Sequence, residues 1–387
     1  MSEPKQIEID INPQLLEGML LRLENTKWPP TIGEDSWDYG VPKQWMQDMV
    51  NYWTTEWKWE NVAAQINEWK HFSVTIDQVP IHYLHAPGKG PNPKPLVLTH
   101  GWPWTFWDFK DVIGPLSDPE KYGGDPMDSF DVYVPSLPGF IFSSPLTKAG
   151  VDVREIAKLW NTLMTEVLGH KKFCAHGGDW GALVIAHLAH EFADSLIGAH
   201  MSLSVIPGVD RRSLPTESWT DDEKWKIERS KEAEDTIRSH ITTHLLDPQT
   251  LAFGLADSPV ATAAWIWERR RNWSDNTGDV EQSFTREHLC TTASLYWCTE
   301  SIGSSLRLYH EHFKKPWPLA HNRLPRLEAP TGIAVFPKDV VHLPYSIIKE
   351  YTNLQHYTVM PEGGHFAAAE KPELATHDIQ KFFRALR

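Results

Sequence analysis

The feature that most constrains the fold of this chain is a tight turn, Gly-Gly-Asp-Trp-Gly at 177–181. An apolar run typical of a buried strand, 172–176, precedes the turn, and an apolar helical run, 182–189, follows it. Glycine stands two positions before and two positions after Asp179, where a larger side chain would obstruct a sharp strand-to-helix turn. We therefore predict a strand, a turn and a helix with Asp179 at the apex of the turn.

Similar strand patterns recur along the chain. An alternating pair of segments, 72–77 and 79–85, predicts a hairpin of edge strands. Helical periodicity between Val153 and Val167 predicts a helix that Gly169 can end. The alternation of strands with helices indicates the α/β class, with a mostly parallel, doubly wound sheet. Further apolar or alternating runs predict strands at 95–100, 130–135, 196–203, 330–336 and 355–359.

Changes of pattern divide the chain into four predicted segments. The first holds many of the 19 tryptophans, and we interpret it as a layer docked on a larger body. The alternative, a carbohydrate-stacking module, lacks the short alternating strands that such a module needs. The predicted segments are an N-terminal meander with the edge hairpin at 1–94, a first part of the core at 95–209, a helical cap at 210–325 and a second part of the core at 326–387.

Composition limits the partners and the compartment. A net charge of −14 repels phosphate backbones, so we do not expect nucleic acid as a partner. Three cysteines, Cys174, Cys290 and Cys298, have no paired spacing, which favours a reducing cytosol over a disulfide framework. The start of the chain lacks a signal-peptide pattern, and no apolar run approaches the roughly 18 residues of a membrane span. We expect a cytoplasmic protein and consider a homodimer among its assemblies.

The carboxylate in the turn determines the expected reaction class. A serine usually occupies this position, whereas a carboxylate attacks saturated carbon that bears a leaving group, as in epoxides and alkyl halides. The structural alternative is an ordinary turn in which Asp179 caps a helix. His365 follows the last predicted strand and Asp339 follows the penultimate one, in the order nucleophile, acid, histidine. This order favours a catalytic triad over a cap.

The three residues then divide a two-step reaction. Asp179 attacks carbon to give a covalent alkyl ester, and His365, oriented by Asp339, activates the water that hydrolyses the ester. The oxyanion of the second step needs backbone N–H donors, for which we predict Trp102 and Trp180. His100, at the start of His-Gly-Trp-Pro, is interpreted as a structural support of that loop.

With these motifs in place, the chain resembles the microsomal-type epoxide hydrolases, a family that includes soluble bacterial and fungal members. The resemblance implies an α/β-hydrolase fold with an N-terminal meander and a helical cap. It also implies that Asp179 is the nucleophile, Asp339 the acid and His365 the base in hydrolysis of an epoxide to a vicinal diol, without cofactor or metal. The matching segments extend through most of the chain at 21–29, 39–46, 100–103, 135–140, 177–181, 256–259 and 363–366.

The resemblance also implies two acidic hydrogen-bond donors in the cap, commonly tyrosines, that hold the epoxide oxygen. Tyr309 matches one of them. The second position falls near His240, and a small shift of the match moves it to His244. We therefore predict a histidine, His240 first, in place of the second tyrosine. The alternative is that both histidines are exposed residues of a cap helix.

Aromatic residues near these motifs suggest the substrate. Trp104, Phe140 and Phe142 predict a pocket for an apolar or aromatic epoxide, although Trp104 could instead pack outward. Such a substrate would fit detoxification or secondary metabolism.

Other functions use some of the same residues. A haloalkane dehalogenase would use the same Asp179, with Trp180 holding the halide, and a catalytically silent binding protein would keep only the pocket. Zinc at His240 and His244, or at His310 and His312, lacks an evident third ligand, so no metal is expected.

Overall fold

A computed structural model describes residues 2–33, 36–314 and 319–387. Residues 1, 34 and 35 of the predicted meander and residues 315–318 of the predicted cap lie outside the described residues. The strands are β1 (Lys5–Ile7), β2 (Lys70–Ile76), β3 (Val79–Ala86), β4 (Lys94–Thr99), β5 (Phe130–Pro135), β6 (Phe173–Gly177), β7 (Leu196–Met201), β8 (Leu327–Val335) and β9 (Thr352–Val359).

The described strands form one nine-stranded sheet in the order β1-β2-β3-β5-β4-β6-β7-β8-β9. Strands β1, β2 and β3 pair antiparallel, β3 pairs antiparallel with β5, and every pair from β5 to β9 is parallel. The predicted α/β class and mostly parallel sheet are confirmed. The edge strand β1 was not expected from the sequence, because three residues are too few to show an alternating pattern.

Helices surround the sheet. All five residues of β6 are buried, as expected for a central parallel strand covered on both faces. The helices are α1 (Pro13–Glu24), α2 (Lys43–Thr55), α3 (Trp59–Ile66), α4 (Lys110–Ser117), α5 (Val153–Thr162), α6 (Trp180–Glu191), α7 (Lys224–Leu246), α8 (Pro248–Asp257), α9 (Pro259–Trp273), α10 (Arg286–Cys298), α11 (Ile302–Phe313), α12 (Tyr345–Tyr351), α13 (Ala367–Glu370) and α14 (Pro372–Arg384).

Helices α7 to α11 all lie between β7 and β8 in the chain. We call these five helices the cap, within the predicted segment 210–325, whose exact boundaries stay a prediction. The N-terminal helix α2 packs against the cap: the indole N–H of Trp53 donates to Ser294 Oγ at 3.0 Å. Trp57, just after α2, donates in the same way to Thr291 Oγ1 at 3.1 Å. Trp53 and Trp57 therefore dock the first segment on the cap through both ring area and N–H groups.

A buried ion pair between two side chains joins the cap to the core. Arg270 of α9 forms a bidentate pair with Asp108, with Nη–Oδ distances of 2.5 and 2.9 Å, and neither side chain is exposed. Removing one partner from such a pair leaves an uncompensated buried charge, which is strongly destabilising.

Across the part of the chain that the structure describes, no helix is both long and apolar enough to cross a bilayer.

Candidate active site

The turn at Asp179 joins β6 to α6 through a strained backbone. Asp179 has φ 49° and ψ −126°. Residues other than glycine rarely adopt a positive φ, so this backbone conformation is strained. A Cβ on Gly181 would stand 2.0 Å from the carbonyl oxygen of Thr99, and one on Gly177 would stand 2.6 Å from the backbone of Gly181. The two flanking glycines are therefore required by close backbone contact, as the sequence pattern predicted.

Three distant segments bring the predicted triad together. His365 Nδ1 lies 2.7 Å from Asp339 Oδ1, and His365 Nε2 lies 3.2 Å from Asp179 Oδ2. The side chains of His365 and Asp339 are almost fully buried, whereas that of Asp179 is 19% exposed. The result is a continuous chain of hydrogen bonds from a buried acid to an accessible carboxylate.

The charge state of His365 follows from its two neighbours. Burial alone lowers the pKa of His365, but Asp339 and Asp179 outweigh burial and raise the pKa to about 10. At neutral pH the ring is therefore an imidazolium that donates to both carboxylates. It can act as a base only after one of the two negative charges is removed.

The loop that follows β4 contacts the other oxygen of Asp179. The backbone N–H of Trp102 donates to Asp179 Oδ1 at 2.7 Å, which is the position expected of an oxyanion donor. Trp180 is the first residue of α6, where backbone N–H groups have no acceptor within the helix. The role predicted for the Trp180 N–H stays a prediction.

His100 supports this loop. The N–H of Leu137 donates to His100 Nε2 at 3.0 Å, so the proton of the neutral ring lies on Nδ1, which donates to the Gly101 carbonyl at 2.9 Å. Burial lowers the pKa of His100 to about 4, which keeps the ring neutral. These contacts fit the structural role expected of it. A further hydrogen bond, 2.9 Å from Arg270 Nη2 to the Pro103 carbonyl, anchors the same loop to the cap.

Tyr309 of the cap helix α11 contacts the two tryptophans next to Asp179. Its ring lies 4.7 Å from the ring of Trp180 and 5.9 Å from that of Trp102, measured between centroids. Burial and then the charge of Asp179 raise the pKa of Tyr309 well above its ordinary value. The phenol therefore keeps its proton and can act as a donor.

The two candidate histidines of α7 are also at this site. Both His240 and His244 are buried, so the alternative of exposed helix residues is wrong. Each ring contacts Tyr309, with centroid distances of 5.3 Å for His240 and 4.7 Å for His244. Each ring also contacts Trp102, with His240 stacked at 5.4 Å and His244 edge-on at 4.6 Å. The site therefore has histidine and tyrosine side by side on the cap.

Hydrogen bonds distinguish the two histidines. The indole N–H of Trp265 donates to His244 Nε2 at 2.9 Å, and an indole can only donate. Burial lowers the pKa of His244 to about 3, so the ring is neutral and its proton lies on Nδ1. This buried Nδ1–H has no hydrogen-bond partner within residues 2–33, 36–314 and 319–387. In contrast, His240 Nδ1 faces the carbonyl of Thr236 on its own helix at 3.5 Å, which is too long for a strong bond.

The predicted pocket residues occupy different places. Trp104 is buried with its ring 5.7 Å from that of His365, so it does not pack outward. Phe140 contacts His100 and Tyr296, and therefore lies behind the Trp102 loop. Phe142 packs on His82 of β3 and on Phe106. Of the three, Trp104 has a direct ring contact with a triad residue.

Trp273, at the end of α9, was missed by the sequence reasoning. Its ring lies 5.4 Å from His365, 4.8 Å from His240 and 6.4 Å from Trp102. Its carbonyl accepts the backbone N–H of His365 at 2.8 Å. Nothing local in the sequence distinguishes Trp273 from the other cap tryptophans, since its place depends on how α9 meets the last loop.

The zinc candidates do not form a cluster. In the described part of the chain, one group of three metal-ligating side chains gathers, namely His200, His356 and Asp378. Its two histidines each bond one oxygen of Asp378, at 2.9 and 2.8 Å, so the group is a satisfied hydrogen-bond network. The group contains neither His240 with His244 nor His310 with His312.

A parallel sheet with a carboxylate on the turn after β6, an acid after β8 and a histidine after β9 defines an α/β-hydrolase. A family model described as alpha/beta hydrolase fold matches residues 94–283. A second model, described as Epoxide hydrolase N terminus, matches residues 4–109. The fold implied by the resemblance is confirmed.

The relatives identify the family within this fold. Over 98% of its length the chain is 35% identical to a Stigmatella aurantiaca protein that is provisionally named as an epoxide hydrolase, and covers 84% of that protein. It is 31% identical to epoxide hydrolase 1 of Oryctolagus cuniculus, with 98% and 88% of the two chains covered. The structure of Aspergillus niger epoxide hydrolase matches with a TM-score of 0.85 at 26% identity, covering 100% of this chain and 97% of the other. The chain belongs to the epoxide hydrolase family.

Proposed function

We propose that the enzyme converts an apolar or aromatic epoxide to a vicinal diol through a covalent ester on Asp179. The observation that carries this proposal is the continuous chain Asp179, His365 and Asp339, with Oδ2 of Asp179 next to the imidazolium and Oδ1 on the Trp102 N–H. A carboxylate held in this way is suited to attack saturated carbon, and the histidine behind it to hydrolysis of the product ester.

In the first step, Asp179 Oδ2 attacks one ring carbon, and the bond between that carbon and the epoxide oxygen breaks. The released oxygen takes a proton from Tyr309, whose phenol is neutral because burial and Asp179 raise its pKa. Esterification removes the charge of Asp179, so one of the two groups that raise the pKa of His365 is lost. His365 can then release the proton that restores Tyr309.

In the second step, neutral His365 takes a proton from water as the water oxygen attacks the ester carbonyl carbon of Asp179. The negative charge develops on Oδ1, where the Trp102 N–H already stands at 2.7 Å. Collapse breaks the bond between the carbonyl carbon and the alkyl oxygen Oδ2, and the expelled oxygen takes the second water proton from the newly formed carboxyl group. The products are the diol, the Asp179 carboxylate and the His365 imidazolium. Protons therefore balance over the cycle: His365 supplies one for the ring oxygen through Tyr309 and recovers one from water, and the other water proton goes to the second hydroxyl of the diol.

The second donor to the epoxide oxygen is better supplied by His244 than by His240. Trp265 fixes the proton of His244 on Nδ1, and that N–H is buried and unpartnered in the described structure. An unsatisfied buried donor destabilises the resting enzyme. A substrate oxygen that accepts from it therefore forms a new hydrogen bond without breaking an existing one. His240 would then serve as a stacking partner of Trp102.

The walls of the site favour an apolar or aromatic substrate. The rings of Trp102, Trp104, Trp180 and Trp273 surround the triad and Tyr309. We expect such an enzyme in the cytoplasm, in detoxification or secondary metabolism. A dehalogenase would use Asp179 in the same way, but a departing halide needs no proton, so the buried phenol of Tyr309, which can donate one, favours an epoxide.

A single turnover of styrene oxide in H₂¹⁸O tests the proposal. The covalent mechanism places the label in Asp179 and leaves the first diol unlabelled, because water attacks the ester carbonyl. Direct attack by water would label the first diol and contradict the proposal. Release of halide from simple haloalkanes without any diol from epoxides would favour the dehalogenase, and neither product would favour a silent binding protein.

A further inference from the structure

The loop that carries His365 is held by hydrogen bonds from outside the loop. Its four consecutive residues, 363–366, each donate a backbone N–H to an acceptor elsewhere, and two of these acceptors belong to the end of α9 and the residues just after it. The four bonds are Gly363 to Asp275 Oδ2 at 2.8 Å, Gly364 to Glu370 Oε2 at 3.0 Å, His365 to the Trp273 carbonyl at 2.8 Å and Phe366 to Glu370 Oε1 at 2.8 Å.

Glu370 joins both sides of this arrangement. Its carboxylate accepts from Gly364 and Phe366, which flank His365, and also from the N–H of Asp275, just after α9, at 2.6 Å. A carboxylate offers two oxygens and no donor, so it can accept from three N–H groups at once. Burial raises the pKa of Glu370 to about 7, while the bonds from Asp275 and Phe366 and the charge of His365 favour the ionised form.

The position of this loop matters because His365 must reach two carboxylates. Its ring nitrogens lie 2.7 Å from Asp339 and 3.2 Å from Asp179. In the second step one ring nitrogen must also lie close enough to a water molecule to take its proton. A displacement of about 1 Å can cost about 10²-fold in rate when it moves a reacting group. The backbone bonds of the loop therefore bear directly on the hydrolytic step.

We propose that Glu370 is a positioning residue for His365, which ties the loop 363–366 to the end of α9 so that the cap sets the position of the imidazole. This inference rests on the proposed function, because it assigns Glu370 to the step in which His365 acts as a base. The first step depends mainly on Asp179 and the cap donors. Loss of Glu370 should then slow ester hydrolysis more than ester formation.

The test compares Glu370→Ala with Glu373→Ala, an exposed glutamate three residues further along. Rapid-quench mass spectrometry with styrene oxide measures formation and decay of the enzyme ester in one turnover. For Glu370→Ala we expect hydrolysis to slow about tenfold or more, with ester formation changed less than about threefold. Glu373→Ala should match the parent. Equal slowing of both steps, or no change in either, would overturn the proposal.

Two further variants keep the test decisive. Glu370→Asp retains an acceptor on a shorter side chain and should recover part of the lost hydrolysis rate. Asp275→Ala removes the acceptor of Gly363 and leaves Glu370 in place, so it should slow hydrolysis selectively but less. If Glu370→Ala does not fold, an unchanged hydrolysis rate in Asp275→Ala overturns the inference. A parent enzyme that forms no ester would instead refute the proposed function.

Discussion

The two walls of the active site differ in charge. The core wall holds Asp179, His365 and Asp339 as alternating charges joined by hydrogen bonds of 3.2 and 2.7 Å. The cap wall presents Tyr309 and His244, which burial keeps neutral by raising the pKa of the phenol and lowering that of the imidazole. On this comparison we propose a division of labour, in which charged groups of the core form and hydrolyse the ester and neutral donors of the cap bind the released oxygen.

The largest effect should come from the core wall. Asp179→Asn removes the attacking oxygen and leaves a similar shape, so we expect no measurable diol formation. Thermal melting should show a folded protein, and no adduct should appear by intact mass. Turnover at a rate near that of the parent would mean that the carboxylate is not the nucleophile and that the two walls do not divide the work as described.

The next effect should come from the phenol on the cap. General acids contribute about 10²–10⁴ in rate, and we expect Tyr309→Phe to slow ring opening at the lower end of this range because His244 remains. The rate of ester formation in a single turnover checks this. Slowing confined to ester hydrolysis would show that Tyr309 acts in the second step and would contradict its role in ring opening.

A smaller effect should separate the two histidines of the cap. His244→Gln keeps an amide near Nε2, facing Trp265, but removes the Nδ1–H; we expect ester formation to fall about tenfold, in keeping with the loss of one hydrogen bond of about 1.4 kcal/mol. The matched variant His240→Gln should change this rate much less. The opposite ranking would return the donor role to His240, as the sequence first suggested.

How far the sequence predicted these walls differs between them. Asp179, Asp339 and His365 could be predicted because each follows a short apolar strand in a fixed order, and local glycines mark the turn. The sequence was a poorer guide to which residues of the cap face the site. The buried stripe of α7 is largely polar, and includes Lys226, Ser230, His240 and His244, so hydrophobic periodicity does not show which face is inside.

The same limit applies to the contacts between elements. The proton on His244 depends on Trp265, which lies on another helix, and the loop of His365 depends on Trp273 and Asp275. Such contacts arise from how helices cross, and no spacing along the chain encodes them. This is why Tyr309 could be predicted from a motif, whereas the choice between His240 and His244 required the hydrogen bonds.

The smallest expected effect concerns stability and pH. The folded-state pKa of His365, about 10, lies above the ordinary value of 6.5, so the protonated ring stabilises the fold fully below pH 6.5. This contribution should fade as the pH rises towards 10. Thermal melts of the parent and of His365→Gln across this range should converge at high pH. A constant difference between the two proteins would show that the core wall does not hold an imidazolium.

The most direct test of the division between the walls is the fate of the ester when the base is absent. In His365→Gln, Asp179 and the cap donors remain, so incubation with styrene oxide should accumulate an enzyme whose mass has increased by that of one epoxide, with the adduct on the peptide that contains Asp179. Diol formation at the parent rate, or an adduct mapped to another residue, would contradict the account.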